Sequence, residues 1–466
     1  MTKSLPLLLL ALFGFAPASL AANPPNVVLV FIDDMGWGDF SCFGNEQAAT
    51  PNIDRLAAEG LRFEHFYVNS PICSPSRVAI STGQYPQRWR ISSFLSNRKH
   101  NKQRGMAQWL DPKAPMFARA LKAKGYATGH FGKWHMGGQR DVSEAPLITE
   151  YGFDRSLTNF EGLGDRVLPL KYTPGQKQPK KHALGSDNLG RGEIKWQDRS
   201  LVTEDFTSAA LKFIKTARAA DKPFYVNLWP DDVHTPMHPP LPKWGDGKNR
   251  TLYHAVLETM DAQFAPLFDH IRSDKELANN TIIVICSDNG PEVGFGSPAS
   301  FHGHKATLFE GGIRSPLVVW APGLIAEGKA GTKNASAVLS SVDLVASLHT
   351  LCGSAPPEGV ILDGEKRLDT FLGKSDAGRE QPLFFRRPPD RENFRHYKGL
   401  PDLAVRDGNW KLLCDYGGKN IRLHDLSADS GEKTDLAEKH PEIAKRLTSS
   451  VLAWHASLPP DSGSNQ

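Results

Sequence analysis

Cysteine is scarce in this chain, and its positive and negative charges nearly balance. Five cysteines occur among 466 residues, and no two of them have the Cys-x-x-Cys spacing. The lack of that spacing argues against a cysteine-based zinc site. The formal net charge of +4 is too small to indicate a nucleic-acid partner. With 40% hydrophobic and 23% charged residues, the chain instead has the composition of a globular protein with a large core.

Long apolar runs are also missing, except near the N-terminus. Lys3 provides a positive start, residues 5–16 are mostly apolar, and Ser19-Leu20-Ala21 has the small-x-small pattern of a cleavage site. These features predict a secretory signal peptide over residues 1–21, cut after Ala21 or Ala22, with an uncleaved anchor as the alternative. We therefore expect an exported protein, periplasmic or secreted, without a membrane segment after cleavage.

Short apolar runs alternate with amphipathic stretches along most of the chain. We predict strands over residues 26–32, 126–131, 224–229, 281–286 and 316–320, and helices over 52–59, 115–124, 204–219, 252–271 and 342–351. This alternation predicts an α/β fold with a large, mostly parallel mixed sheet flanked by helices. Cys286 falls within one of the apolar strands, so we expect it to be a buried free thiol. Spacing cannot decide whether Cys42, Cys286, Cys352 and Cys414 pair as disulfides.

Two changes of composition divide the chain. A Pro- and Gly-rich segment at 353–364 predicts a boundary between a catalytic domain, residues 22–355, and a small domain, residues 356–466, of antiparallel strands and a closing helix. Residues 151–193 are rich in Gly, Pro, Lys and Asn, which predicts an irregular insertion over one end of the sheet. The lysines at 177–181 form either a solvated loop or a rim that attracts a polyanionic glycan.

Oxygen-bearing side chains follow two of the predicted strands. Asp33 and Asp34 end the first strand, and Asp288 and Asn289 end the strand that starts at Thr281. Ligands bind outside the carboxyl ends of the strands in open α/β sheets. Adjacent carboxylates repel each other unless a cation lies between them. Because oxygen ligands favour Ca²⁺ or Mg²⁺ over zinc, these four residues predict a site for one of those ions.

Basic side chains follow two further strands. Lys133 and His135 come after the strand at 126–131 and, in an extended chain, would point the same way. His234 comes after the strand at 224–229. A single His or Lys in a loop is usually a solvent-exposed residue without a function. Here, however, four strands each end in charged or polar residues, and together these residues predict one site.

The segment from Cys73 to Arg77 reads Cys-Ser-Pro-Ser-Arg. Pro75 suits the first position of a helix, because its missing N–H would be unpaired there. The free N–H groups at that helix end favour an anion beside Cys73, and Arg77 adds a cation that fits a sulfate or phosphate edge.

This pentapeptide resembles the C-x-P-S-R motif of type I sulfatases, in the alkaline phosphatase superfamily. Residues 132–137 resemble the family's G-K-W-H-x-G pattern, residues 303–314 its G-x-K-x-x-x-x-E-G-G-x-R stretch, and residues 423–432 a common turn of its small domain. The resemblance implies an alkaline phosphatase-like fold and oxidation of Cys73 to Cα-formylglycine by a maturation enzyme. It also implies a divalent ion, Ca²⁺ or alternatively Mg²⁺, bound by Asp33, Asp34, residue 73, Asp288 and Asn289.

The resemblance further implies the roles of the basic residues. Residue 73, as an aldehyde hydrate, would attack sulfur, while Arg77, Lys133 and Lys305 offset charge on the sulfate. His234 would protonate the departing alcohol, with or without help from Lys305. His135 would take the proton that allows sulfate to leave.

These residues predict a sulfuric ester hydrolase acting on a sulfated carbohydrate, similar in general type to N-acetylgalactosamine-6-sulfatases, bacterial polysaccharide sulfatases and arylsulfatases. A phosphonate or phosphodiester hydrolase on the same fold is the alternative; Cys73 and an oxygen-only metal set favour sulfate. A non-catalytic exported glycan-binding protein is a third hypothesis and requires Cys73 to stay unmodified. The sugar, its ring position, exo or endo action and the oligomeric state are left open by the sequence.

Overall fold

The computed structural model describes residues 24–387 and 399–459. The predicted signal peptide lies outside the described residues. Within them, every helix is too short or too polar to cross a membrane. All five cysteines belong to the described part of the chain and carry free thiols, and Cys286 is fully buried, as expected.

The elements follow one another as strands and helices along the chain. The strands are β1 Asn26–Ile32, β2 Leu61–Tyr67, β3 Ala127–Gly132, β4 Arg155–Leu157, β5 Arg166–Lys171, β6 Lys180–Lys181, β7 Ile194–Asp198, β8 Phe224–Trp229, β9 Thr281–Ser287, β10 Arg314–Trp320, β11 Lys333–Asn334, β12 Leu339–Ser340, β13 Leu383–Arg386, β14 Leu403–Asp407, β15 Trp410–Cys414 and β16 Arg422–Asp425. The α-helices are α1 Pro51–Glu59, α2 Cys73–Thr82, α3 Arg98–Gln103, α4 Phe117–Ala123, α5 Val202–Ala219, α6 Asn249–Ser273, α7 Lys275–Asn279, α8 Glu310–Ile313, α9 Ser341–Leu351, α10 Leu368–Phe371 and α11 Pro441–Ala456.

The large sheet has the strand order β11-β2-β10-β9-β1-β8-β3-β4, with β12 beside β2. Strands β9, β1, β8, β3 and β4 run parallel, whereas β10 pairs antiparallel with both β9 and β2. The sheet is therefore mixed and mostly parallel at its centre, which confirms the predicted fold class.

Strand β1 explains why helices cover both faces of this sheet. All seven of its residues are buried. Val27, Leu29 and Phe31 pack into the core on the side of α2, α4 and α9. The alternate residues Val28, Val30 and Ile32 pack into the core on the side of α1, α5 and α6. Because side chains alternate along a strand, a run that is apolar at every position is buried on both faces.

Two local predictions differ from the structure. Helix α2 begins at Cys73, with Ile72 as its N-cap, so Pro75 is the third helical residue rather than the first. Proline is tolerated there because the first-turn N–H groups have no partner inside the helix. The insertion is also less irregular than expected, because β5 pairs with β6 and β7 in a small separate sheet.

The C-terminal part forms an antiparallel sheet in the order β13-β14-β15-β16, with α11 packed against it, as predicted. Its other face shares an apolar cluster with Tyr67 of β2 and Ile313 of α8. Beside that cluster, buried Lys411 lies 2.9 Å from carboxylate oxygens of both Glu310 and Glu432. Glu310, which belongs to the motif at residues 303–314, thus links the large sheet to the small C-terminal sheet through Lys411. The domain boundary at residues 355 and 356 stays a prediction.

Candidate active site

The carboxyl ends of four neighbouring strands meet at one edge of the large sheet. Strands β9, β1, β8 and β3 are adjacent and parallel. The loops that leave them therefore come together, although they are distant in sequence. This edge gathers the residues predicted for the site: Asp33, Asp34, Lys133, His135, His234, Asp288 and Asn289. Helix α2 adds Cys73 and Arg77, and the loop before α8 adds Lys305.

Cys73 is the first residue of α2 and is 2% exposed. The Ser74 hydroxyl accepts a hydrogen bond from the Leu95 N–H at 2.9 Å, and the Ser76 hydroxyl donates to the Ser70 carbonyl at 2.7 Å. Both serines thereby fix the start of the helix. Burial raises the pKa of the Cys73 thiol. A protonated thiol is a poor nucleophile, so the unmodified side chain is not activated for attack.

The carboxylates form a buried oxygen set around Cys73. Asp33, Asp34 and Asp288 have no exposed surface. One oxygen each of Asp33 and Asp288 lies with the Cys73 sulfur in a group whose members are within 4.8 Å of one another. Burial alone would raise the pKa of Asp33, but Lys133, His234 and Arg77 hold it well below its usual range. Burial and the charge of Asp33 raise the pKa of Asp288.

Asn289 supplies a test of whether this set fits a cation. Its amide nitrogen donates to Asp34 Oδ1 at 2.8 Å, whereas its Oδ1 is buried and has no hydrogen-bond partner among the described residues. An unpaired buried oxygen beside three carboxylates is what a hard cation requires. The residues present therefore fit a Ca²⁺ or Mg²⁺ ion.

Arg77 and Lys133 lie behind the carboxylates. The Arg77 guanidinium is fully buried and contacts Asp33 at 3.1 Å and Asp288 at 2.8 Å. It also donates to the Lys133 carbonyl at 2.9 Å. The Lys133 ammonium lies 2.6 Å from Asp33 Oδ2 and 3.3 Å from Glu161. These pairs hold the carboxylates in place and offset part of their negative charge.

Lys305 and His234 lie on the other side, against Asp34. The Lys305 ammonium is 2.5 Å from Asp34 Oδ2 and 3.4 Å from Glu292. Burial opposes its charge, but Asp34 raises the pKa of Lys305 well above its usual value, so it is protonated. The Thr235 carbonyl accepts a hydrogen bond from His234 Nδ1 at 2.7 Å. His234 Nε2, 3.5 Å from Asp34, is therefore the ring atom that can exchange a proton.

His135 lies between a carbonyl group and a carboxylate. Leu95 accepts a hydrogen bond from Nε2 at 2.9 Å, so Nδ1 is the nitrogen that can accept a proton. Nδ1 is 3.0 Å from Glu161 Oε2, a distance at which the two groups form an ion pair once the ring is protonated. Burial lowers the pKa of His135, and Glu161 opposes that shift. His135 has a left-handed backbone, with φ of 53°, so it does not extend from Lys133 as expected.

A cavity of about 860 Å³ opens onto these groups. Four predicted site residues line it, namely Cys73, His135, His234 and Lys305. Arg77 and Lys133 are outside this lining and almost fully buried. The rest of the wall combines apolar and polar side chains: Ile72, Phe94, Arg140, Phe160, Glu161, His182, Leu184, Thr235, Pro236, Glu292 and Val293. The arrangement places the buried Cys73 among cations and groups that can exchange protons.

Comparison with known proteins agrees with this geometry. The sulfatase family model matches residues 25–354. The chain belongs to the sulfatase family. It is 32% identical to human N-acetylgalactosamine-6-sulfatase over 487 residues, which cover 95% of this chain and 88% of the human protein. It is 27% identical to an N-acetylgalactosamine-6-O-sulfatase of Bacteroides thetaiotaomicron over 501 residues, 92% of each protein.

A solved structure gives the same fold. The structure of Ps i-CgsB in complex with k-i-k-neocarrahexaose superposes with a TM-score of 0.78, covers 94% of each chain and is 24% identical. At that identity the likeness concerns the alkaline phosphatase-like fold alone. Family membership makes the protein a sulfuric ester hydrolase, and it generally implies a metal ion and a formylglycine.

Sequence reasoning missed several residues of this sulfatase site. Glu161, Arg140 and His182 lie in or near the insertion, and Glu292 follows β9. Glu161 is held beside His135 because its carbonyl accepts a hydrogen bond from the His135 N–H at 2.7 Å, and it also pairs with Gln139 in an isolated antiparallel bridge. The only sequence signal was the expectation that the insertion covers one end of the sheet.

Three further polar residues in the loops of this sulfatase, namely His238, His302 and Asp231, have structural partners. His238 Nδ1 hydrogen-bonds to the Tyr172 carbonyl, and the His302 ring stacks on Phe309 with centroids 4.0 Å apart. Asp231 pairs with buried Arg199 at 2.8 Å. None of these three lines the cavity described above.

Proposed function

We propose that this sulfatase hydrolyses sulfate esters of a carbohydrate through a Cα-formylglycine formed from Cys73, with the help of a bound Ca²⁺ ion. The observation that carries the proposal is the position of Cys73 at the wall of the cavity. It lies between a buried oxygen set on one side and the proton-exchanging groups Lys305 and His234 on the other.

The cation would be held by Asp33, Asp34, Asp288, Asn289 and an oxygen of the modified residue 73. The unpaired Asn289 Oδ1 and the three buried carboxylates support this set. Oxygen ligands in a site made of loops suit Ca²⁺, and Mg²⁺ is the alternative. When bound, the cation would stabilise negative charge at residue 73 and on the sulfate.

The modified side chain would supply, as its hydrate, two hydroxyl groups on one carbon, one to attack sulfur and one to expel sulfate. The protonated, buried thiol supports the need for this change, because it lacks a reactive anion. A maturation enzyme acting on Cys73 is thus part of the proposal.

The chain's own groups divide the proton transfers between two sides of the cavity. Lys305 is protonated and lies beside His234, so this pair would donate a proton to the departing alcohol. His135 Nδ1 would accept a proton, and the Glu161 carboxylate would stabilise the charged ring. Arg77 and Lys133 would act mainly by holding Asp33 and Asp288, because both cations are buried behind them.

A sulfated sugar is the proposed substrate. Two relatives are named for N-acetylgalactosamine 6-sulfate, and aromatic side chains, Phe94 and Phe160, line the cavity. A cavity of about 860 Å³ is large enough for a ligand of several rings. We propose that the protein is exported by its predicted signal peptide and acts in the periplasm or outside the cell.

Two measurements test the proposal. Mass spectrometry of the tryptic peptide covering residues 63–77 should find an aldehyde or its hydrate at position 73. The mature protein should then release sulfate from 4-nitrophenyl sulfate and from sulfated N-acetylgalactosamine faster than it cleaves a phenyl phosphonate ester. An unmodified thiol in every molecule from the natural host would contradict the catalytic proposal, and faster phosphonate cleavage would contradict the choice of sulfate.

A further inference from the structure

The insertion supplies one wall of the catalytic cavity. Phe160, His182 and Leu184 line the cavity, and the rings of Phe160 and His182 meet with centroids 5.4 Å apart. Phe160 and Leu184 belong to an apolar cluster that continues to Trp196 of β7. This wall therefore extends from the cavity to the small sheet of β5, β6 and β7.

Arg140 is a cation beside this wall that forms no ion pair with an acidic residue in the described part of the chain. It lines the cavity, its Nε is buried, and its guanidinium makes no hydrogen bond or ion pair with any described residue. Its charge acts on Glu161 only from beyond ion-pair distance. The two carboxylates of the cavity already have cationic partners, since Glu161 contacts Lys133 and Glu292 contacts Lys305.

The backbone at Arg140 is also unusual. Its φ is 54°, a left-handed backbone conformation that residues other than glycine seldom adopt. Asp34 and His135 in the site share this feature, with φ of 57° and 53°. Eight further residues other than glycine in the described chain share it, so the conformation does not by itself mark a ligand site. The case for a ligand at Arg140 rests on its place in the cavity and its lack of an ion pair.

Lys181 is a second cation on the same wall, at its outer end. Its ammonium lies 4.4 Å from the centre of the Trp196 ring. The register agrees with this contact, since Leu168 pairs with Trp196 and Leu170 with Lys181. Directly paired residues point to the same face of a sheet, and residues two apart do as well. Lys181 therefore lies on the face of the small sheet that packs against Phe160, next to the cavity wall but outside the cavity lining itself.

The neighbouring lysines point the other way. Lys180 pairs with Lys171, and Lys195 pairs with Val167, which is buried in the core beside α5. Lys195 accordingly reaches Asp205 of α5 at 2.7 Å. Lys180 and Lys195 therefore do not share the orientation of Lys181 over the Trp196 ring.

We propose that Arg140 and Lys181 form a binding subsite for a second anionic group, carboxylate or sulfate, on the saccharide that carries the reacting ester. This inference rests on the proposed function, because it takes the ester to lie at Cys73. Arg140 binds the anion inside the cavity through its planar N–H groups, and Lys181 attracts the chain where it leaves. The enzyme then prefers an anionic oligosaccharide to a sulfated monosaccharide.

Calorimetric binding tests this subsite. The full chain with Cys73→Ala, which cannot turn over, is titrated with tetrasaccharides of alternating uronate and N-acetylgalactosamine 6-sulfate. Two further tetrasaccharides keep only the carboxylates or only the sulfates. We expect Arg140→Ala to raise the dissociation constant about ten-fold for whichever anion the subsite takes. Lys181→Ala should raise it about two- to three-fold, and only at low salt, because the ammonium is exposed.

Lys180→Ala is the matched control, since it removes the same charge from the opposite face of the same strand, and it should leave every dissociation constant unchanged. If Lys180→Ala and Lys181→Ala raised the dissociation constants equally, the specific role of Lys181 would be overturned, because the two lysines would then attract the anionic saccharide only through their overall charge. Unchanged binding of all three tetrasaccharides to Arg140→Ala would overturn the subsite. Neither result depends on turnover. Failure of the subsite is therefore distinguishable from failure of the proposed function, which would appear as an absence of sulfate release from 4-nitrophenyl sulfate.

Discussion

Replacing Glu161 by glutamine should slow this sulfatase and change its response to pH. Glu161 is 4% exposed and lies 3.0 Å from His135 Nδ1 and 3.3 Å from the Lys133 ammonium. Glutamine keeps the shape of the side chain but removes the charge that faces both groups. His135 would then carry a proton less readily, since Glu161 has the largest effect among the groups that raise its pKa against burial.

The expected losses of kcat and of stability in Glu161→Gln follow from the interactions that remain after the substitution. A general base contributes about 10²–10⁴-fold, and loss of the group that orients such a histidine removes part of this, so we expect kcat to fall about 10- to 100-fold. The free energy of unfolding should fall by about 1–3 kcal/mol. A larger loss is not expected, because Lys133 keeps its 2.6 Å contact with Asp33 and is not left as an unpaired buried charge.

The pH profile of kcat separates catalysis from stability. If neutral His135 is the base, activity rises with pH through its pKa, and a lowered pKa moves this acidic limb to lower pH. The control is Asp261→Asn, which removes another buried carboxylate, one that accepts the Ile53 N–H at 3.0 Å where α1 starts. It should reduce stability without moving the limb. An unchanged kcat and an unmoved limb in Glu161→Gln would refute the assignment of His135 as the base.

Three further outcomes are expected. Cys73→Ser has a single hydroxyl, so it should retain a sulfated enzyme and lose multiple turnover; sustained turnover would count against elimination from a hydrate. Chelator-treated enzyme should lose activity and regain it with Ca²⁺ better than with Mg²⁺, and Asn289→Ala should weaken Ca²⁺ in a direct binding titration; equal affinity would remove Asn289 from the ligand set. Burial raises the pKa of Glu432 to about 7, so the folded protein holds that proton more tightly than the unfolded chain. Stability should therefore fall as pH rises from about 4.3 towards about 7. Glu432→Gln should flatten that fall in urea unfolding, and an unchanged slope would exclude the residue.

The sequence predicted the central sheet well because its strands are buried on both faces. Strands β1, β8 and β9 are apolar at nearly every position, and their limits agree with the structure to within a residue. Strand β2 was not predicted, since Glu64 and His65 interrupt its apolar pattern and it is only partly buried. The short strands of the insertion were not predicted either, because β6 has two exposed lysines and no apolar signal.

The sequence by itself determined that the residues of the candidate site come together at one edge of the sheet. Cys73, the paired carboxylates and the basic motifs each stand at the end of a recognisable strand or the start of a helix, and parallel strands bring such ends to one edge whatever the rest of the chain does. Local pattern and sheet direction were enough to assemble this set.

Only the tertiary structure decided how those groups are partnered. Arg77 is enclosed behind Asp33 and Asp288, and Glu161 faces His135. Lys181 lies over the Trp196 ring, whereas Lys180 points to the opposite face of the same strand. These relations depend on the path of the insertion and on a strand register in which a shift of one residue would reverse the two lysines. Residues that are remote in sequence determine both the path of the insertion and the strand register, so no local sequence pattern could have predicted these contacts.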